Sequence, residues 1–149
     1  MINKNSNILN VILKIIEYLT LLIIGGSIYV GIEMLWRGHS HISMFFVGGL
    51  ALICVGLLNE VLPHDTPFWK QIIYGDLIVL TIEFVSGIFL NIGLGLNVWD
   101  YSDMPFNIAG QICLPFALLW MPLVAIAIIL DDYIKFLFFG GRKPSYRWI

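Results

Sequence analysis

Four apolar runs, each about as long as a bilayer is thick, leave this chain few ways to fold. They lie at roughly 18–36, 42–62, 72–96 and 108–130 and are built mostly from Ile, Leu, Val, Phe, Ala and Gly. About 20 such residues, at a rise of ~1.5 Å each, cross the ~30 Å hydrocarbon core of a membrane. Only 12% of the 149 residues are charged, where soluble domains average about 25%. That leaves too little polar surface to cover a water-soluble globule. The expected fold is therefore all-α: one integral-membrane domain, a four-helix transmembrane bundle of two hairpins.

The connections are polar and short. Residues 1–17 place Ile8, Val11, Ile12 and Ile15 at helical spacing among Asn and Lys, which predicts an amphipathic segment on the membrane surface leading into the first span. Pro63 and Pro67 break the chain between the second and third spans. The tail from Asp131 onward is basic and aromatic, as segments at the headgroup level are. Lys4, Lys14, Lys70, Lys135, Arg142, Lys143 and Arg147 fall on one side of the bundle and Arg37 alone on the other. This imbalance predicts a multi-pass cell-membrane protein with both termini cytoplasmic. A net charge of -2 points to no nucleic-acid partner, and no Walker-type phosphate loop is present, so the chain alone should not hydrolyse ATP. Cys54 and Cys113 both sit in apolar runs, where no disulfide is expected. No cofactor is expected. Besides the lipid bilayer, the predicted partner is a second copy or another membrane subunit, because four short helices hardly enclose a pathway.

Polar residues inside the spans mark the candidate site. Asp76, Glu83, Gly87, Asn91 and Gly95 follow one another at spacings of 7, 4, 4 and 4, which lines them along one face of the third helix. An ionisable side chain in an apolar span is costly and is a functional candidate by default. Glu83 either ties helices together in its protonated form, handles an ion, proton or substrate, or serves as a catalytic acid. The fourth span is expected to open with Gln111 and to bend at Pro115 and Pro122, freeing the carbonyls of Gln111 and Leu118. Those carbonyls call for another helix, a hydroxyl or water, either in a hydrated pocket or at a packing bend. Between these spans, Trp99, Asp100, Tyr101 and Asn107 form a polar aromatic loop, whose Trp99 and Tyr101 also suit an interfacial belt. Arg37 lies four residues from Glu33 and pairs either with it or across the hairpins with Asp100. His39 and His41 make a poor metal signal without further ligands at defined spacing, and no metal centre is expected. Asn59 and Glu60 close the second span, and Glu60 at a helix C-terminus calls for a partner, with Lys70 a candidate, or for water.

Several of these residues carry a family resemblance. NE at 59–60, EFVSGIFLN at 83–91, GLNVWDYSDMPFNIAGQICLPFALLW at 95–120 and LDD at 130–132 resemble the CmpB-like family of type IV ABC-transporter membrane proteins, over roughly 36–139. The resemblance marks Asn59, Glu60, Glu83, Gly87, Asn91, Trp99, Asp100, Tyr101, Asn107, Gly110 and Gln111, and it implies a transport role without naming a substrate. The leading expectation is a small transport component for an ion or small molecule, with Glu83, Asn91, Asp100, Tyr101 and Gln111 around a polar pocket open to the outer side. The alternatives are an intramembrane enzyme acting on lipid-linked substrates and a structural or regulatory membrane subunit.

Overall fold

A computed structural model describes residues 4–63 and 65–148. The chain forms α1 (Lys4–Arg37), α2 (Ile42–Gly56), a short continuation α3 (Leu58–Val61), α4 (Phe68–Gly87) extended by a π-helical turn (Ile88–Gly93), and α5 (Leu114–Phe138). Four stretches are long and apolar enough to cross a membrane: Asn7–Arg37, Ile42–Val61, Phe68–Gly93 and Leu114–Phe138. Among the described residues there is no strand, only an isolated bridge between Ile108 and Ile112.

Local chemistry sets most of the boundaries. Gly38, at φ +74°, ends α1 and donates its amide to the Met34 carbonyl, a left-handed cap that glycine adopts without strain. His41 then caps α2, its Nδ1 accepting the Ser43 amide at 3.2 Å. The α1–α2 hairpin closes through small residues: a Cβ on Gly26 or Gly49 would collide with the carbonyl oxygen of Phe45 or Leu22 in the facing helix. Such close approach is how helices gain contact where lipid removes the hydrophobic drive.

The bundle buries polar groups and exposes apolar ones. On α4, Asp76, Glu83 and Gly87 are buried, whereas Ile73, Leu77 and Val85 are exposed. The expected polar face thus points inward as far as Asn91, and Gly95 lies beyond the helix in a turn at φ +64°. Apolar cores fill the remainder: Val55, Phe68, Val79, Val124 and Ile128 in one cluster, and Met44, Leu90, Val98 and Trp99 in another. A third, Leu21, Leu52 and Ile134, seals α1 against α2 and α5.

The first helix is longer than its expected span, and the last is displaced along the chain. The segment expected to lead into the first span is continuous with it: α1 runs unbroken from Lys4, because no breaker separates the Asn-rich start from the apolar run. Residues 1–3 lie outside the described residues. The fourth helix begins at Leu114 rather than near 108, since Ala109 at φ +53° and Gly110 at φ +68° hold 108–113 in tight turns. It continues past 130 to Phe138, where Gly140 at φ +69° turns the chain away. Pro115 therefore occupies the first turn of α5, where its missing N–H costs nothing. Pro122 lies inside the helix.

Candidate functional site

Glu83 is 3% exposed and sits about mid-way along the third span. Its two carboxyl oxygens are met from two different elements. The Tyr101 hydroxyl, from the loop after the π-turn, donates to Oε1 at 3.2 Å. The Trp120 indole, from α5, donates to Oε2 at 3.0 Å. Tyr29 of α1 stacks on Trp120 with ring centroids 5.6 Å apart, and Phe116 stacks on Tyr101 at 4.6 Å. Burial, and then the adjacent Glu83 carboxyl, push the Tyr101 phenol well above its ordinary pKa, so it remains a donor. Both donors are neutral, and no Lys or Arg forms an ion pair with Glu83 among the described residues.

Asn91 and Gln111 belong to a separate group. Asn91 Nδ2 donates to the Trp99 carbonyl at 2.9 Å and to Gln111 Oε1 at 2.8 Å, and its Oδ1 accepts the Val98 amide at 2.7 Å. Gln111 Nε2 donates to the Ala109 carbonyl at 2.9 Å. The Trp99 indole donates to the Gln111 carbonyl at 3.0 Å. That carbonyl does need an outside donor, as expected, although Gln111 precedes α5 rather than opening it. Trp99 is buried within this clamp, so it is not an interfacial anchor. Trp36 remains exposed at the end of α1. The close fit extends to Gly87, where an added Cβ would land on the Gln111 side-chain oxygen.

Asp100 and Asn107 shape the loop itself. Asp100 Oδ1 accepts from the Ser102 amide at 2.8 Å and the Ser102 hydroxyl at 2.6 Å, and these bonds hold its carboxyl below the usual carboxylate range. Asn107 donates to the carbonyls of Ser102 and Met104 and accepts the Gly110 amide. Arg37 does not reach Asp100. Its guanidinium pairs with Glu33 at 2.5 Å and donates to the Val98 carbonyl at 2.9 Å, tying the hairpins together through backbone. His39 and His41 contact the Arg37 carbonyl and Ser43 respectively.

Asn59 and Glu60 lie at the opposite end of the bundle, away from Glu83. Glu60 pairs with Lys14 at 3.0 Å and Lys135 at 3.4 Å, not with Lys70, whose ammonium sits 5.4 Å from the Trp69 ring centroid. Lys14 also holds Glu17 at 2.8 Å. Lys135 reaches the Gly56 carbonyl at 3.1 Å and Asp131 at 2.9 Å, the latter fully buried in α5. Asn59 donates to Asp132 at 2.6 Å, and the Tyr146 hydroxyl donates to the other Asp132 oxygen at 2.9 Å. Sequence reasoning missed Trp120, Tyr29, Lys14, Glu17, Asp131 and Lys135 as site residues. The only local signals were Lys14 and Glu17 at i, i+3 and Asp131 and Lys135 at i, i+4 inside apolar surroundings. Trp120 and Tyr29 carried no such signal.

The residues expected to share one pocket thus fall into distinct groups: Glu83 with Tyr101, Asn91 with Gln111 beside Trp99, and Asp100 in a loop frame with Asn107. Asn59 and Glu60 form a cluster of their own at the far end. No curated protein and no solved structure matches the chain. The family described as "Putative ABC-transporter type IV" matches residues 33–139, more than two thirds of the sequence, from the Glu33–Arg37 pair through Glu83 and its donors to the end of α5, and the chain belongs to that family.

Proposed function

We propose that this protein is the membrane-embedded component of a transport system and that Glu83 is its ion- or proton-handling group. One observation carries the reading: a buried carboxyl, held by two neutral donors, has no basic side chain paired with it among the described residues. A buried carboxylate without a counter-charge is strongly disfavoured. The site therefore favours either a proton on Glu83 or an arriving cation, and exchange between the two is a transport step. Tyr101 and Trp120 would position the carboxyl from the loop and from α5, so that movement of either element alters its surroundings. Asn91, Gln111, Trp99, Asp100 and Asn107 act in this reading as the frame around the pathway rather than its lining, because their polar groups are engaged with one another. The rest of the pathway belongs to a second copy or to a partner subunit, and the basic terminal face is the cytoplasmic one.

The test is reconstitution of the full chain, with its partner where one co-purifies, into proteoliposomes. Cation or proton flux is compared between wild type and Glu83→Gln, which keeps the side chain's size and an acceptor for Trp120. Loss of flux at least tenfold is expected, with an unchanged size-exclusion profile. Equal flux in the two proteins defeats the assignment.

A further inference from the structure

The face on which α1 begins and α5 ends carries a cleft of about 540 Å³, walled by α1, the end of the second span, α5 and the tail. This volume lies within the range of small-molecule sites, roughly 300–1,000 Å³. Among the acidic side chains along its wall, Glu17 is paired with Lys14 and Glu60 with Lys14 and Lys135, whereas Asp132 accepts from the neutral Asn59 and Tyr146 and keeps its charge. Arg142 and Lys143 also line the cleft, and neither joins an ion pair among the described residues. Arg142 and Lys143 are therefore the lining cations left outside ion pairs among the described residues, and they are the groups an arriving anion would meet.

The tail does not merely trail past this opening. Gly140 at φ +69° turns it, and the Gly141 amide donates to the Lys135 carbonyl at 2.9 Å. The Arg147 carbonyl accepts the Phe68 amide at 2.7 Å, while the Tyr146 ring packs on Phe68 and its hydroxyl holds Asp132. Arg142 and Lys143 are thus suspended between two anchored points, beside the ends of the candidate spans. Basic pockets between helix ends at this depth recognise phosphate headgroups, and the arginine fork matches a phosphate's paired oxygens.

We propose that this cleft binds a phosphate-bearing anion through Arg142 and Lys143, supplied either as the headgroup of an acidic phospholipid or as a soluble phosphorylated compound. The site is distinct from Glu83 and does not depend on the transport reading.

Binding is measured by calorimetric titration of the full chain in neutral detergent with short-chain phosphatidic acid, short-chain phosphatidylcholine and inorganic phosphate. Phosphatidic acid should bind, and the double variant Arg142→Ala/Lys143→Ala should weaken it on the order of tenfold or more. Lys70→Ala, which removes a cation on the same face outside the cleft, should leave it within about twofold. Phosphate binding as tightly as the lipid identifies a soluble ligand, whereas lipid binding alone identifies a headgroup; both uphold the site. The proposal is overturned if the double variant binds like wild type, if Lys70→Ala weakens binding as much, or if phosphatidylcholine binds as well as phosphatidic acid. Both substitutions lie in the exposed tail, and an unchanged thermal unfolding midpoint without ligand verifies the fold.

Discussion

Replacing Asn91 with Ala removes three hydrogen bonds at once, those to the Trp99 carbonyl, Gln111 Oε1 and the Val98 amide. Val98 and Trp99 are buried, so their backbone groups have no water to turn to. Side-chain hydrogen bonds in membrane proteins average about 0.6 kcal/mol, so three amount to roughly 2 kcal/mol. Each backbone group left buried without a partner adds about 1–3 kcal/mol unless the loop relaxes. Relaxation is available, since the loop joins two helix ends, and the expected loss is about 2–4 kcal/mol. Gln111→Ala removes one of the same bonds, so the two changes should be non-additive by about 0.5–1 kcal/mol in a double-mutant cycle. Reversible unfolding in mixed micelles gives the energies, and hydrogen exchange at Val98 and Tyr101 locates them. An Asn91→Ala protein within about 0.5 kcal/mol of wild type, with loop exchange unchanged, would refute the idea that this side chain clamps the loop.

Other outcomes follow from neighbouring contacts. Gly87→Ala should push the Gln111 side chain and Trp99 apart, seen as a red shift in tryptophan emission, because the added methyl occupies space they already fill. Gly49→Val should cost about 1–3 kcal/mol or open the first hairpin, detectable by proximity cross-linking between α1 and α2, since its side chain meets the Leu22 backbone rather than a movable group. Arg37→Ala should cost roughly 1 kcal/mol in the same unfolding assay and raise exchange in the 94–113 loop, as it releases the Val98 carbonyl and leaves Glu33 with the Ser40 hydroxyl but no counter-charge. Burial, and then its bond to Asp132, raise the Tyr146 phenol above its ordinary value. A raised folded value means that tail docking is fully present below about pH 10, the unfolded phenol's pKa, and is lost as pH climbs through the folded one. Trp148 emission, which reports on Phe68 packing, should change only above that pH, and Tyr146→Phe should flatten the profile.

Much of the architecture could be read from spacing. Span number, the inward face of Asp76, Glu83, Gly87 and Asn91, and the Glu33–Arg37 pair all follow from helical periodicity, which is local. The principle that a carboxyl in oil needs company also directed attention to the loop and to α5, where Tyr101 and Trp120 supply it. What escaped was non-local or non-periodic. Asn97, Phe106 and Ala109 adopt positive φ without being glycine, so no turn signature exposed the loop's path or the late start of α5. Pro115 reads as an interior kink until the helix start is known. The Lys14–Glu60–Lys135 cluster joins three helix ends far apart in sequence, and charge alone suggested the nearer Lys70 for Glu60. Trp99 was assigned to the interface by its type, yet its indole found an acceptor inside the protein.

The first helix outreaches its neighbours. At 34 residues it is about 51 Å long, whereas the second span, at 20 residues, is about 30 Å and already matches the hydrocarbon slab. The Lys14–Glu60 pair marks where the two run level, so the stretch before Lys14 projects about 15 Å further. Ile8, Leu9, Val11, Ile12 and Leu13 stand uncovered on that projection. An apolar stalk of this length calls for cover from lipid: the bilayer thickens locally to meet it, or the helix leans until its isoleucines are immersed, and the mismatch falls on one flank of the protein only.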